Sequence, residues 1–342
     1  MRPRAFQIAG VFLMGAGFVL GCGGGKSSSP TTARSAAPTK SAPSAVVPAA
    51  SVLVQQGETF FAQGRLDQAE AAFRKAIATK PDDARAHFDL GLVLEHQQQP
   101  SQAMDAYTEA IRIEPRFAAP KSNLALLRRD NGDLAGAEVL LAEVIELTPA
   151  DGEAFLNLAL TLEDQGKLAQ AEVHYRSAVK LLPKDPLPRV NLGLLLLAGG
   201  KRTESMRMLQ AAVPLAKGDR ALMAAIGNGL RRAGDSKGAV NALSAAIASD
   251  KSEAPESLRA ELALAQRAAG DRPAAIATLE KLISDKPRYA IGHYLLANLL
   301  AADGRYAEAG VHYRRYLALE PQGKHAPDAR RHMNAALSAS KR

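Results

Sequence analysis

The same 34-residue pattern is written eight times in this chain, and a period of that length builds a stack in which each copy buries its apolar face only against its neighbours. The most legible copies contain GETFFAQGRLDQAEAAFRKAIATKPDD and LALTLEDQGKLAQAEVHYRSAVKLLPKD. Counting the first residue of each copy as position 1, the copies begin at Ala50, Ala84, Ala118, Gly152, Pro186, Arg220, Glu256 and Ala290, with Ala254 and Pro255 inserted before the seventh. Position 8 is then always Gly or Ala: Gly57, Gly91, Ala125, Ala159, Gly193, Gly227, Ala263 and Ala297. Position 20 is Ala in every copy but one, where Ser205 stands. Two helices approach closely only where neither carries bulk, so these positions mark where two helices of one repeat meet. Position 24 supplies the bulk, as Phe73, Tyr107, Leu141, Tyr175, Leu209, Leu243, Leu279 and Tyr313, and is expected to fill the space between successive pairs.

Punctuation follows the same register. Position 15 is Gly in seven copies and Gln98 in the second; a glycine there can take the positive φ that ends a first helix. Pro81, Pro115, Pro149, Pro183, Pro287 and Pro321 stand at position 32, where a missing N–H and a ring clash stop a second helix. Lys217 and Lys251 replace proline in the fifth and sixth copies, which predicts looser turns there.

Small residues at 8 and 20, aromatic or leucine at 24 and proline at 32 resemble the tetratricopeptide repeat family, over residues 50 to about 323. The resemblance implies an all-α fold: a right-handed superhelix, or α-solenoid, of eight helix-turn-helix repeats whose first helices line a concave side that holds an extended peptide. Position 4 departs from the family pattern, with Leu53, Phe155 and Met223 in some copies but Lys121 and Arg189 in others. The segment 324–342 has helical spacing in Ala329, Met333, Ala336 and Leu337 and is expected to cap the apolar edge of the last repeat.

Residues 1–21 carry Arg2 and Arg4, then an apolar run, then Val19-Leu20-Gly21 before Cys22, the one cysteine of the chain. This resembles a bacterial lipoprotein signal peptide with its lipobox. The resemblance implies acylation of Cys22 and attachment to a membrane through the lipid; each buried CH₂ adds about 0.8 kcal/mol, so two or three chains hold firmly. Gly23, rather than Asp, follows the cysteine, which implies the outer membrane of a bacterial cell envelope, facing the periplasm. Residues 22–49 are rich in Gly, Ser, Thr, Ala and Pro, a composition that predicts a flexible tether with a reach of roughly 30 Å.

Charge does not point to nucleic acid. The formal net charge is +8, but residues 1–50 contribute +5 and residues 322–342 contribute +4, so the repeats between carry about −1. Chemistry is equally poorly supported. The seven histidines show no metal-ligand spacing, and His174 and His312, at position 23, are expected to face outward. No nucleophile motif or glycine loop after a strand is present, so the expectation is a non-enzyme with no cofactor, metal or small-molecule substrate.

Positions 2, 5, 6, 9, 12 and 13 of each first helix are expected to face the groove. Position 6 repeats as Asn123, Asn157 and Asn191, and an amide can pair with both N–H and C=O of an extended backbone. Such a ladder resembles the one lining peptide-binding superhelices of this family, for example in protein O-GlcNAc transferases. Position 9 gives Leu92, Leu126, Leu160 and Leu194 beside it, either as an apolar strip for ligand or as packing onto the next repeat. The family's clamp for carboxyl-terminal carboxylates has no counterpart, because Glu58 and Asp89 occupy places where cations are needed. The expected function is a lipid-anchored adaptor that binds one or more cell-envelope proteins and assists assembly of an envelope complex, as pilotins of type IV pili do. The alternative is a structural or regulatory scaffold for cell-wall enzymes, with Tyr316 marking either an altered edge or a larger core.

Overall fold

The computed structural model describes residues 49–249 and 253–339, which form seventeen α-helices and no strand. They fall into two compact units that divide between Pro149 and Ala150. The first unit holds α1 (Ala50–Ala62), α2 (Leu66–Thr79), α3 (Ala84–His96), α4 (Pro100–Ile113), α5 (Ala118–Asp130) and α6 (Leu134–Leu147). The second holds α7 (Gly152–Asp164), α8 (Leu168–Leu181), α9 (Leu187–Ala198), α10 (Arg202–Ala212), α11 (Arg220–Ala233), α12 (Ser236–Ala248), α13 (Glu256–Ala268), α14 (Arg272–Asp285), α15 (Ala290–Ala302), α16 (Tyr306–Leu319) and α17 (Ala326–Ala339). The fold is an all-α array of helix-turn-helix units with a final capping helix. Among the described residues, no helix is long and apolar enough to cross a membrane.

Each pair is closed by the small residues. All eight side chains at position 20 are fully buried. In the fifth repeat, Ser205 Oγ donates to the Gly193 carbonyl at 2.7 Å, so positions 20 and 8 touch across the pair. A Cβ on Gly57 would lie 2.6 Å from the Phe73 ring, and one on Gly227 would lie 2.6 Å from Leu243 Cγ. The bulk at position 24 therefore sits first on position 8 of its own repeat, a correction to its expected place between pairs. Full burial of side chains this large contributes about 1.5–3 kcal/mol each.

The turns repeat as faithfully. Every position 15 has positive φ, from 61° at Gln98 to 107° at Gly234. In the first repeat the N–H of Arg65 bonds the Phe60 carbonyl at 2.9 Å and that of Gly64 bonds Phe61 at 2.9 Å, the two bonds of a Schellman cap. Aspartates just ahead of many helices finish the caps. Asp83, Asp151 and Asp219 accept from first-helix N–H groups, and Asp133, Asp235 and Asp271 from second-helix ones. In the fifth repeat, where Lys217 replaces proline, α10 ends at Ala212 and a turn runs on to Gly218, whose φ is 92°. Lys251 lies outside the described residues.

The eighth repeat is closed by α17. Ala326, Ala329 and Ala336 are buried, and Ala326, Ala329 and Met333 join a core with Tyr313, Tyr316 and Leu296. The side chain of Leu337, expected in the same contact, lies outside the described residues. Tyr316 is fully buried and its hydroxyl accepts from the His325 N–H at 3.2 Å, so it enlarges the core and ties the cap to it. Continuing the 34-residue register makes Lys324 a ninth position 1, which places Arg331 at position 8. Arg331 is exposed and ion-paired with Asp328, where every true repeat has Gly or Ala.

Candidate functional site

In the first unit the exposed stripe of first helices is charged and internally paired. Arg85 bridges Glu58 of α1 at 3.2 Å and Asp89 of its own helix at 2.7 Å. Burial pushes the Asp89 carboxyl above its ordinary range even though Arg85 opposes the shift. The one cation at this place is thus engaged by two carboxylates, which fits the absence of a carboxylate clamp. Asn123 is half-buried and its Nδ2 donates to the Tyr107 hydroxyl at 3.2 Å, which in turn donates to Glu95 at 2.5 Å. Leu92 and Leu126 are half-buried beside it.

In the second unit Asn157 is half-buried, as are Leu160 and Leu194. Asn191 is only 2% exposed, and its Oδ1 has no hydrogen-bond partner. Leu194 packs onto the first helix of the following repeat: a Cβ on Gly229 would lie 3.1 Å from its Cδ2. Further along the stripe, Arg231 of α11 reaches Glu261 of α13 at 2.9 Å. Asn228 Oδ1 and Arg231 Nε are buried without partners. The recurring asparagines drew attention to position 6, whereas Asn228 sits at position 9, where the neighbouring copies carry leucine, and Arg231 at position 12, where the next copy repeats it as Arg267.

Position 23 does not face outward. His312 meets His293, at position 4 of the same repeat, with Nδ1 to Nδ1 at 3.1 Å; His174 lies 5.9 Å from Phe155, also at position 4. The reason is geometric: position 23 lies one residue before the buried position 24 and so shares part of its contact with the first helix. His293 Nε2 also bonds the Pro287 carbonyl at 3.1 Å, and His87 makes the same bond to Pro81 at 3.0 Å. Among the described residues, no three metal-ligating side chains converge. Cys22, the expected lipid attachment point, lies outside them.

A stack of paired helices in a 34-residue register, locked by small residues at 8 and 20 and turned by left-handed residues at 15, is a tetratricopeptide-repeat protein. The chain belongs to the family described as cilia and flagella-associated protein 70 C-terminal domain, whose model matches residues 26–262, and a tetratricopeptide repeat model matches residues 260–324. No curated protein sequence matches the chain. Among solved structures, it resembles pilF of Pseudomonas aeruginosa with 20% identity and a TM-score of 0.52, over 58% of this chain and 90% of that one. A tetratricopeptide repeat protein from Parabacteroides merdae aligns with 18% identity and a TM-score of 0.53, over 73% of this chain and 98% of that one. At these identities the likeness is one of fold.

Proposed function

We propose that the chain is an adaptor that holds extended segments of other proteins on the stripes of its first helices. The observation that carries this reading is Asn191, a buried amide on that stripe whose oxygen lacks a partner inside the protein. An unpaired buried acceptor costs about 1–3 kcal/mol, and turning that amide outward to a bound backbone N–H would remove the cost. Half-buried Asn157 and Asn123 offer further amides, one in each unit, with Leu160, Leu194, Leu92 and Leu126 as apolar neighbours. In the finer reading the adaptor is lipid-anchored through Cys22, faces the periplasm from the outer membrane and assists assembly of a pilus or secretion complex. The fold shared with pilF supports the repeat class of that reading.

Replacing Asn123, Asn157 and Asn191 together by Ala should leave the helical fold intact while weakening partner capture in crosslinked pull-downs from the native envelope. Undiminished capture would reject the stripe as the binding surface. Recovery of a pilus secretin favours the assembly role, and recovery of cell-wall hydrolases or synthases favours the scaffold role.

A further inference from the structure

The stripe formed by α9, α11 and α13 differs from the rest of the second unit in a way that names its ligand more narrowly. On α9 the six stripe positions are Leu187, Val190, Asn191, Leu194, Leu197 and Ala198, with no charge among them. On α11 and α13 the same positions carry Arg231, Arg232 and Arg267 against a single carboxylate, Glu261. Arg232 and Arg267 are exposed, while Arg231 is half-buried and bonded to Glu261 at 2.9 Å. Just beneath this apolar-to-basic surface lie two buried acceptors without partners, Asn191 Oδ1 and Asn228 Oδ1, and one buried donor, Arg231 Nε.

We propose that this surface binds an extended peptide that carries apolar side chains followed by acidic ones. The proposal rests on the adaptor reading and adds a charge to it. Carboxylates of the segment meet Arg232 and Arg267 with charge-assisted hydrogen bonds, its apolar side chains meet Leu194 and Leu197, and the two asparagine amides, turned outward, pair with its backbone N–H groups. Gly229 of α11 faces Leu209 of α10 and Leu194 of α9, whose side chains would lie 2.7 and 3.1 Å from a Cβ there, so the apolar residue of α9 packs directly against the helix that carries the arginines. The segment 22–49 does not suit this place, because its charges are Lys26, Arg34 and Lys40 with no acid.

The experiment uses the full chain and fluorescein-labelled peptides of about twelve residues, roughly 40 Å when extended. One carries a Leu-rich half followed by an Asp-rich half, and a second carries the same Leu-rich half followed by a Lys-rich half. Fluorescence anisotropy should show the Leu/Asp peptide binding at least about tenfold more tightly than the Leu/Lys peptide, with the preference shrinking as salt rises. Arg232→Glu with Arg267→Glu should abolish the preference; Arg207→Glu, exposed on the second helix α10, should leave it intact, and circular dichroism checks that both variants fold. Equal binding of the two peptides, or an equal loss in the Arg207 variant, overturns the proposal. So does arginine-dependent binding of phosphatidylglycerol vesicles without peptide binding. The asparagine substitutions in native pull-downs report on the adaptor reading separately, so either idea can fail alone.

Discussion

Gln98 stands where seven other repeats have glycine, and it adopts the same left-handed backbone, with φ of 61°. A side chain there costs about 1–2 kcal/mol, partly offset by the lower chain entropy of a non-glycine residue in the unfolded state. Gln98→Gly should therefore stabilise the first unit by about 1 kcal/mol, read from the denaturation midpoint; a destabilised variant would mean that its neighbours pin the backbone for another reason. The histidine pair gives a second prediction at this scale. Burial holds both His293 and His312 below the ordinary value of 6.5, with Arg315 and His312 close to the former and His293, Glu308 and Arg305 close to the latter. The unfolded chain then binds protons that the folded one refuses, so stability is complete above about pH 6.5 and falls as pH drops below it. His312→Leu, the residue the third repeat carries as Leu140, should flatten that acid limb in melting curves. Position 4 and position 23 were hard to read from the sequence because their side chains vary widely while the backbone geometry that joins them does not.

At the level of elements, helix starts and stops were legible almost residue by residue, since small residues, glycines and prolines act through sterics that tolerate little substitution. Capping aspartates went unread, because a carboxylate at a turn looks the same as a solvated charge until its N–H partner is placed. The second helices are also linked across repeats: Arg176 of α8 meets Glu204 of α10 at 2.6 Å and Lys201 meets Glu172 at 2.9 Å, which holds the Glu172 carboxyl below its usual range. These pairs are solvent-facing and contribute little each, so the apolar edge decides stability. Removal of residues 324–342 exposes that edge at Tyr313 and Tyr316. The truncated protein should melt several degrees lower and bind a hydrophobic dye, in line with about 25 cal/mol per Å² of newly exposed apolar surface. An unchanged melting temperature would mean that α17 is decoration.

For the whole molecule, architecture came readily from the sequence and ligand specificity did not. Period and packing repeat eight times, whereas Asn228 and the arginine that position 12 repeats as Arg231 and Arg267 gain meaning only once α9, α11 and α13 are set side by side. The proposed anchor belongs to this scale too. Cys22→Ser should release the protein from the membrane fraction and remove its lipid mass; a mature form that stays acylated would refute the attachment point.

Arg331 bears on how such a chain grows. Arrays of this kind lengthen when a 34-residue unit is copied, and a copy is useful only if the element before it offers a surface that a new second helix can touch. On α17 that surface carries an exposed arginine and its aspartate partner where each of the eight repeats has Gly or Ala, so a second helix could not approach there as closely as it does within those repeats. The residue that sets α17 apart as a lid thus also makes it a poor seat for a duplicated unit.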